Sequence, residues 1–105
     1  MVKAEIDPGI CGLKTTVVVR KKSGKEYEIL IESDCEMVEK LGEKVPSLNM
    51  MDIFKRITDN PIYKEGTVCL RHVSCPVPSG ILKALEVEAG LALPKDVKIV
   101  FSKEK

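Results

Sequence analysis

Residues 26–32 read EYEILIE, with Tyr27, Ile29 and Ile31 on one side and Glu26, Glu28 and Glu32 on the other. Period two with one wet face predicts a half-buried strand. The same pattern opens the chain in VKAEID, where Val2, Ala4 and Ile6 oppose Lys3, Glu5 and Asp7. Between them, residues 14–20 (KTTVVVR) are rich in β-branched side chains, which suit a pleated surface. Asp7-Pro8-Gly9 turns the chain after the first run, and Ser23-Gly24 is a hairpin signal before the third. Three consecutive strands with short links predict an antiparallel meander whose apolar face must be covered by something else.

The cover comes from the middle of the sequence, where the period changes. Ser33 and Glu36 are spaced as a capping box, and Val38, Leu41 and Val45 follow at helical intervals, with Gly42 and Pro46 bracketing the stop. A second helix is predicted from Ser47 or Asn49, with Met50, Ile53, Phe54 and Ile57 on one face. Asn60-Pro61 ends it and can cap the next segment, proline taking the first helical position. In residues 62–71, Ile62, Gly66, Cys69 and Val73 fit one helical face, while TVCL reads equally as a short strand; the helix is preferred. The last helix begins at Pro78 or Ser79, carries Ile81, Leu82, Leu85 and Ala89 on one face, and stops at Gly90. Residues 95–102 (KDVKIVFS) form a final strand with Val97, Ile99 and Phe101 inward. The expected fold is a single α+β domain over 1–105. It is a two-layer sandwich with a mostly antiparallel four-stranded sheet, the three-strand meander plus the C-terminal strand, covered on one face by three or so helices.

With 105 residues the chain buries roughly 60–70% of its unfolded surface, enough for a core without staples. A net charge of +1 offers no strong field for nucleic acid or an anionic membrane. The basic run Arg20-Lys21-Lys22 reads as a solvated hairpin tip. No apolar stretch approaches the roughly 18 residues of a membrane helix, and MVKAEIDPG lacks the apolar core of a signal peptide. The expected location is the cytoplasm, where disulfides are rare, so Cys11, Cys35, Cys69 and Cys75 call for burial, redox chemistry or metal as their explanation.

The meander itself places some of these thiols. Its first turn holds Cys11 and lies at one end of the sheet; strand three returns to that end and exits into Cys35. Cys75 precedes a helix that packs on the same sheet, so three cysteines converge if that helix starts at the same end. Cys35 and Cys69 also read as small core residues, whereas Cys11 in its glycine-rich turn and Cys75 beside Pro76 are harder to explain that way. Cys69, His72 and Cys75 are spaced C-x2-H-x2-C, which lets a chain wrap one ion. Thiolates and imidazole suit zinc, and thiolates suit an iron–sulfur cluster. The other chemistry is thiol redox or sulfur transfer. A helix dipole contributes only about 0.3–1 kcal/mol, under one pKa unit, so a reactive thiol also needs a neighbouring charge. Arg71 and His72 offer that to Cys75, while Asp34 and Glu36 oppose it at Cys35; Cys75 is the better nucleophile candidate. No glycine-rich phosphate loop, G-x-S-x-G or H-E-x-x-H motif is present.

The stretches IDPGICG, SDCE and SCPVPSGILKALEVEAGLALPKDV resemble a family of uncharacterised proteins of about this size from methanogens and other anaerobes. The likeness covers most of the chain and is most specific at CPVPSGILKA. It implies no activity, but an anaerobic setting would suit oxygen-sensitive thiol or iron–sulfur chemistry.

Three expectations follow. The first is a metal- or iron–sulfur-binding accessory or carrier protein using Cys11, Cys35 and Cys75, with His72 and Cys69 as further candidate ligands and a protein as its partner. The second is an enzyme-like protein with Cys75 as a redox or sulfur-carrying thiol. The third is an interaction module with inert cysteines and no cofactor. Val18, Leu30 and Val100 break the polar face of the sheet and could support a weak homodimer.

Overall fold

The computed structural model describes residues 1–104. Its sheet has four antiparallel strands in the order of the sequence: β1 (Val2–Ile6), β2 (Thr15–Ser23), β3 (Glu26–Ser33) and β4 (Ser47–Asn49). The meander is as expected. Ala4 stands opposite Val17, and Val17 opposite Ile31, so their side chains share one face. Val17, Val19, Tyr27 and Ile29 are buried on that face. The opposite face carries Lys3, Val18 and Leu30 in one row.

Three helices form the second layer: α1 (Glu36–Lys44) lies on β3, α3 (Val77–Glu88) lies on β1 and β2, and α2 (Pro61–Cys69) packs mainly against α1. Val38, Leu41, Ile62, Ile81 and Leu85 supply the helical half of an aliphatic core. Full burial of each such side chain is worth roughly 1.5–3 kcal/mol, so these few positions carry much of the driving force. The two-layer α+β sandwich is therefore the fold.

The fourth strand is not the expected one. Ser47-Leu48-Asn49 is extended, not helical; Leu48 is buried opposite Tyr27 and completes the sheet. The expected second helix is replaced by a 3₁₀ segment at Met50–Phe54, and Phe54 and Ile57 are exposed. The local chemistry favours this break. Asn49 accepts the Met51 amide, and the buried Asp52 carboxylate takes both the Asn49 amide and Lys55 Nζ at 2.8 Å, so a short turn satisfies its own ends. Residues 95–102, expected to be a strand, form no secondary structure, and their apolar side chains face solvent.

The helix ends show further differences. Cys35 is the N-cap of α1, and Ser33 Oγ accepts its amide at 3.1 Å; the carboxylate that reaches back to the Ser33 amide is Glu39, not Glu36. α1 stops at Lys44, between Gly42 and Pro46, as expected. Gly42 lies inside the last turn, where an added Cβ would sit 3.0 Å from Ile31 Cβ, so the glycine lets α1 close onto β3. The 62–71 segment is helical, capped by Asn60 with Pro61 in the first turn. The final helix starts at Val77, one residue before the earlier of its two expected starts, Pro78 and Ser79.

Candidate functional site

Three backbone pairings define one end of the sheet. Ile6 ends β1 opposite Thr15, Thr15 stands opposite Ser33, and the Asp34 amide donates to the Lys14 carbonyl at 3.1 Å. The link from Asp7 to Lys14, which holds Cys11, leaves and re-enters the sheet there. Cys35 follows Ser33 at the same place. Cys11 and Cys35 therefore share a sheet end, as the meander requires.

The direction of α3 decides where Cys75 falls. Gly80 touches Ile6 at that end, while Glu88 accepts from the N-terminal ammonium of Met1 at 3.1 Å and from the Lys21 amide at the other. So α3 runs antiparallel to β1, and Cys75, just before it, joins Cys11 and Cys35. The three thiols come from three separate loops, and all are free.

Their environments differ. Cys11 is exposed in a link whose Gly9 and Gly12 both have positive φ, which a side chain rarely adopts. Cys35 is buried in the core. Its amide is held by Ser33 Oγ, which also shares a 2.7 Å hydrogen bond with the buried Thr15 hydroxyl. Cys75 is half-buried beside the core. Burial pushes its thiol above the ordinary value; the Val77 amide donates to it and opposes the rise, and the thiolates of Cys35 and Cys11 add to it. Cys35 and Cys11 therefore each lie within electrostatic reach of Cys75.

Burial is the largest influence on the Cys75 thiol, and Arg71 and His72, expected to favour its thiolate, are not among the groups that shift it. His72 is exposed, and Cys69 ends α2 against the core. Because α2 is helical to Cys69 and the chain turns at His72–Cys75, the C-x2-H-x2-C spacing is split between a helix end and a loop. Among the described residues, no group of three or more His, Cys, Asp or Glu side chains is already placed to hold a metal ion. A surface groove of about 530 Å³ lies by Lys44, Pro46, Lys55 and Pro61 at the far end of α1 from Cys35 and contains no cysteine. No helix of the described residues is long and apolar enough to cross a membrane.

The resemblance seen in the sequence extends to a defined family. The family of unknown function DUF6951 matches residues 2–101, and the chain belongs to it. No curated protein and no solved structure matches the chain.

Proposed function

We propose that this member of DUF6951 is a small accessory or carrier protein that takes a soft metal ion, zinc or the iron of an iron–sulfur cluster, at the thiol-bearing end of its sheet. The reading rests on one observation: Cys11, Cys35 and Cys75 arrive at one sheet end from three loops, where negative charge on Cys35 or Cys11 would repel a Cys75 thiolate. Repulsion of that kind is relieved by a cation, and a bound cation deprotonates its thiol ligands outright. Thiolate donors select soft and borderline metals.

Cys35 and Cys75 sit against the core and would form the fixed side of the site; Cys11, on its exposed link, would close it. Binding would then order the Asp7–Lys14 link, coupling metal to local structure. An oxygen-poor setting, which the sequence resemblance implies, together with the cytoplasmic location expected from the sequence, would keep all four thiols reduced. The alternative of a redox or sulfur-carrying Cys75 is disfavoured by the raised pKa of that thiol.

The test is elemental analysis with an absorbance spectrum on protein purified without oxygen. About one equivalent of zinc, or iron with sulfide, is expected, and it should fall away in Cys35→Ser and Cys75→Ser variants. Protein that carries no metal and takes up neither zinc nor reconstituted iron and sulfide would refute the reading.

A further inference from the structure

The C-terminal segment has the pattern of a strand but no strand beside it. Residues 91–104 are exposed throughout, and the molecule is elongated at 51 × 29 × 25 Å. Val97, Ile99 and Phe101 alternate with Asp96, Lys98 and Val100, yet they are 60%, 73% and 90% exposed. Period-two apolar side chains left in water are an unpaired half of something. The family match runs to residue 101, so the segment is part of the domain and not an appendage beyond it.

The other half lies on the same chain. β1 is an edge strand, bonded only to β2, so one side of its backbone has no partner among the described residues. That edge has no proline and no bulge, only the charges of Lys3 and Glu5, and it runs for five residues, whereas β4 at the opposite edge has three and follows Pro46. The core-facing side chains of β1 are also incompletely covered: Val2, Ala4 and Ile6 are only half-buried, although α3 lies over them.

We propose that residues 95–101 of one copy add as an antiparallel strand to the β1 edge of a second copy, and reciprocally, giving a two-fold dimer by exchange of C-terminal strands. In the register that sets Lys98 opposite Glu5, Val97 stands opposite Ile6, Ile99 opposite Ala4 and Phe101 opposite Val2. The charged pair attracts, and three apolar side chains extend the half-covered apolar face. Val100 then enters the row of Lys3, Val18 and Leu30 on the open face. The exchange is favoured in trans because the chain leaves α3 at Gly90 (φ +77°) and runs out from the body with its side chains in solvent. Main-chain pairing to a free sheet edge is an established mode of recognition, and exchanging identical elements is a low-cost route to a closed dimer.

The experiment is sedimentation equilibrium of the full chain under reducing conditions, with amide hydrogen exchange on the same samples. Wild-type protein is expected to sediment as a dimer, with slowed exchange at residues 95–101. Ile99→Pro removes an amide and an apolar contact from a residue exposed in the single chain, so it should fold normally, sediment as a monomer and lose that protection. Leu93→Asp, equally exposed but outside the strand segment, should stay dimeric. A monomeric wild-type protein, whether or not residues 95–101 are protected, overturns the proposal. So does a dimer that survives Ile99→Pro, or one lost in Leu30→Lys and kept in Ile99→Pro, which would place the contact on the open sheet face.

Discussion

Gly80 and Ile6 are in direct contact: a methyl group added at Gly80 would lie 2.4 Å from Ile6 Cδ1 and 3.0 Å from its Cγ1. This pair sets the N-terminus of α3 at the end of β1 and thereby carries Cys75 to Cys11 and Cys35. Alanine at position 80 gains about 1 kcal/mol in helix propensity but forces Ile6 aside, and overpacking typically costs about 1–3 kcal/mol. Gly80→Ala should therefore lose about 1 kcal/mol in a denaturant melt. In an Ile6→Ala background the obstruction is gone, and the same change should stabilise. A destabilisation of equal size in both backgrounds would show that the contact does not set the helix position.

Thiol reactivity should follow exposure. In metal-free protein at neutral pH, Cys11 is expected to alkylate fastest, Cys75 more slowly and Cys35 slowest, by mass spectrometry of timed digests. Fastest labelling at Cys75 would mean that a charge not seen in this arrangement activates it.

The raised pKa of Cys75 also has a sign in stability. Its folded-state value lies above its unfolded value, so its contribution is fully present below the unfolded pKa and is lost as pH rises through the folded one. Wild-type protein should lose stability in this alkaline window, and Cys75→Ala should remove part of that loss. Identical alkaline profiles for the two proteins would contradict the assignment.

Asn60 joins two turns from a buried position. Its Oδ1 accepts the Ile62 amide at 2.9 Å, and its Nδ2 donates to the Asp52 carbonyl at 2.8 Å. Loss of a cap costs about 1 kcal/mol and an orphaned buried carbonyl about 1–3. Asn60→Ala should lower stability by about 2–3 kcal/mol. Asn60→Asp keeps the cap acceptor but turns a carboxylate oxygen toward the carbonyl, so it should not restore the wild-type melting temperature. Full restoration would show that the donor half of the side chain is dispensable.

Ser33 and Thr15 should govern how Cys35 is held. Ser33→Ala removes the acceptor of the Cys35 amide and the partner of a buried hydroxyl, with an expected loss of about 1–2 kcal/mol and faster alkylation at Cys35. A melt within about 0.5 kcal/mol of wild type, the range of an ordinary surface change, would remove this role.

The alternation of Tyr27, Ile29 and Ile31 was enough to read the sheet, because an apolar face at period two has few other uses. The meander alone also places Cys11 and Cys35 at one sheet end. It could not orient α3, since a short link allows either direction; the Gly80–Ile6 contact decides that. Ser47–Asn49 escaped detection because three residues hold no measurable period, and Met50, Ile53, Phe54 and Ile57 imitate helical spacing across two short turns. KDVKIVFS was legible as a strand pattern, but a strand needs a neighbour, and within the described chain it has none.

The strands lie side by side in the order in which they are synthesised, so each finds its partner within one short loop. Such topologies have low contact order and fold quickly. The exception is α3, whose shelter for β1 and β2 comes from the far end of the sequence. On a ribosome the sheet can pair while the apolar flank of β1 stays bare until the last helix emerges. That interval is when a nascent chain is most exposed to wrong associations. A kinetic mark of this order is expected: Ile29→Val should mainly slow refolding, and Ile81→Val should mainly speed unfolding.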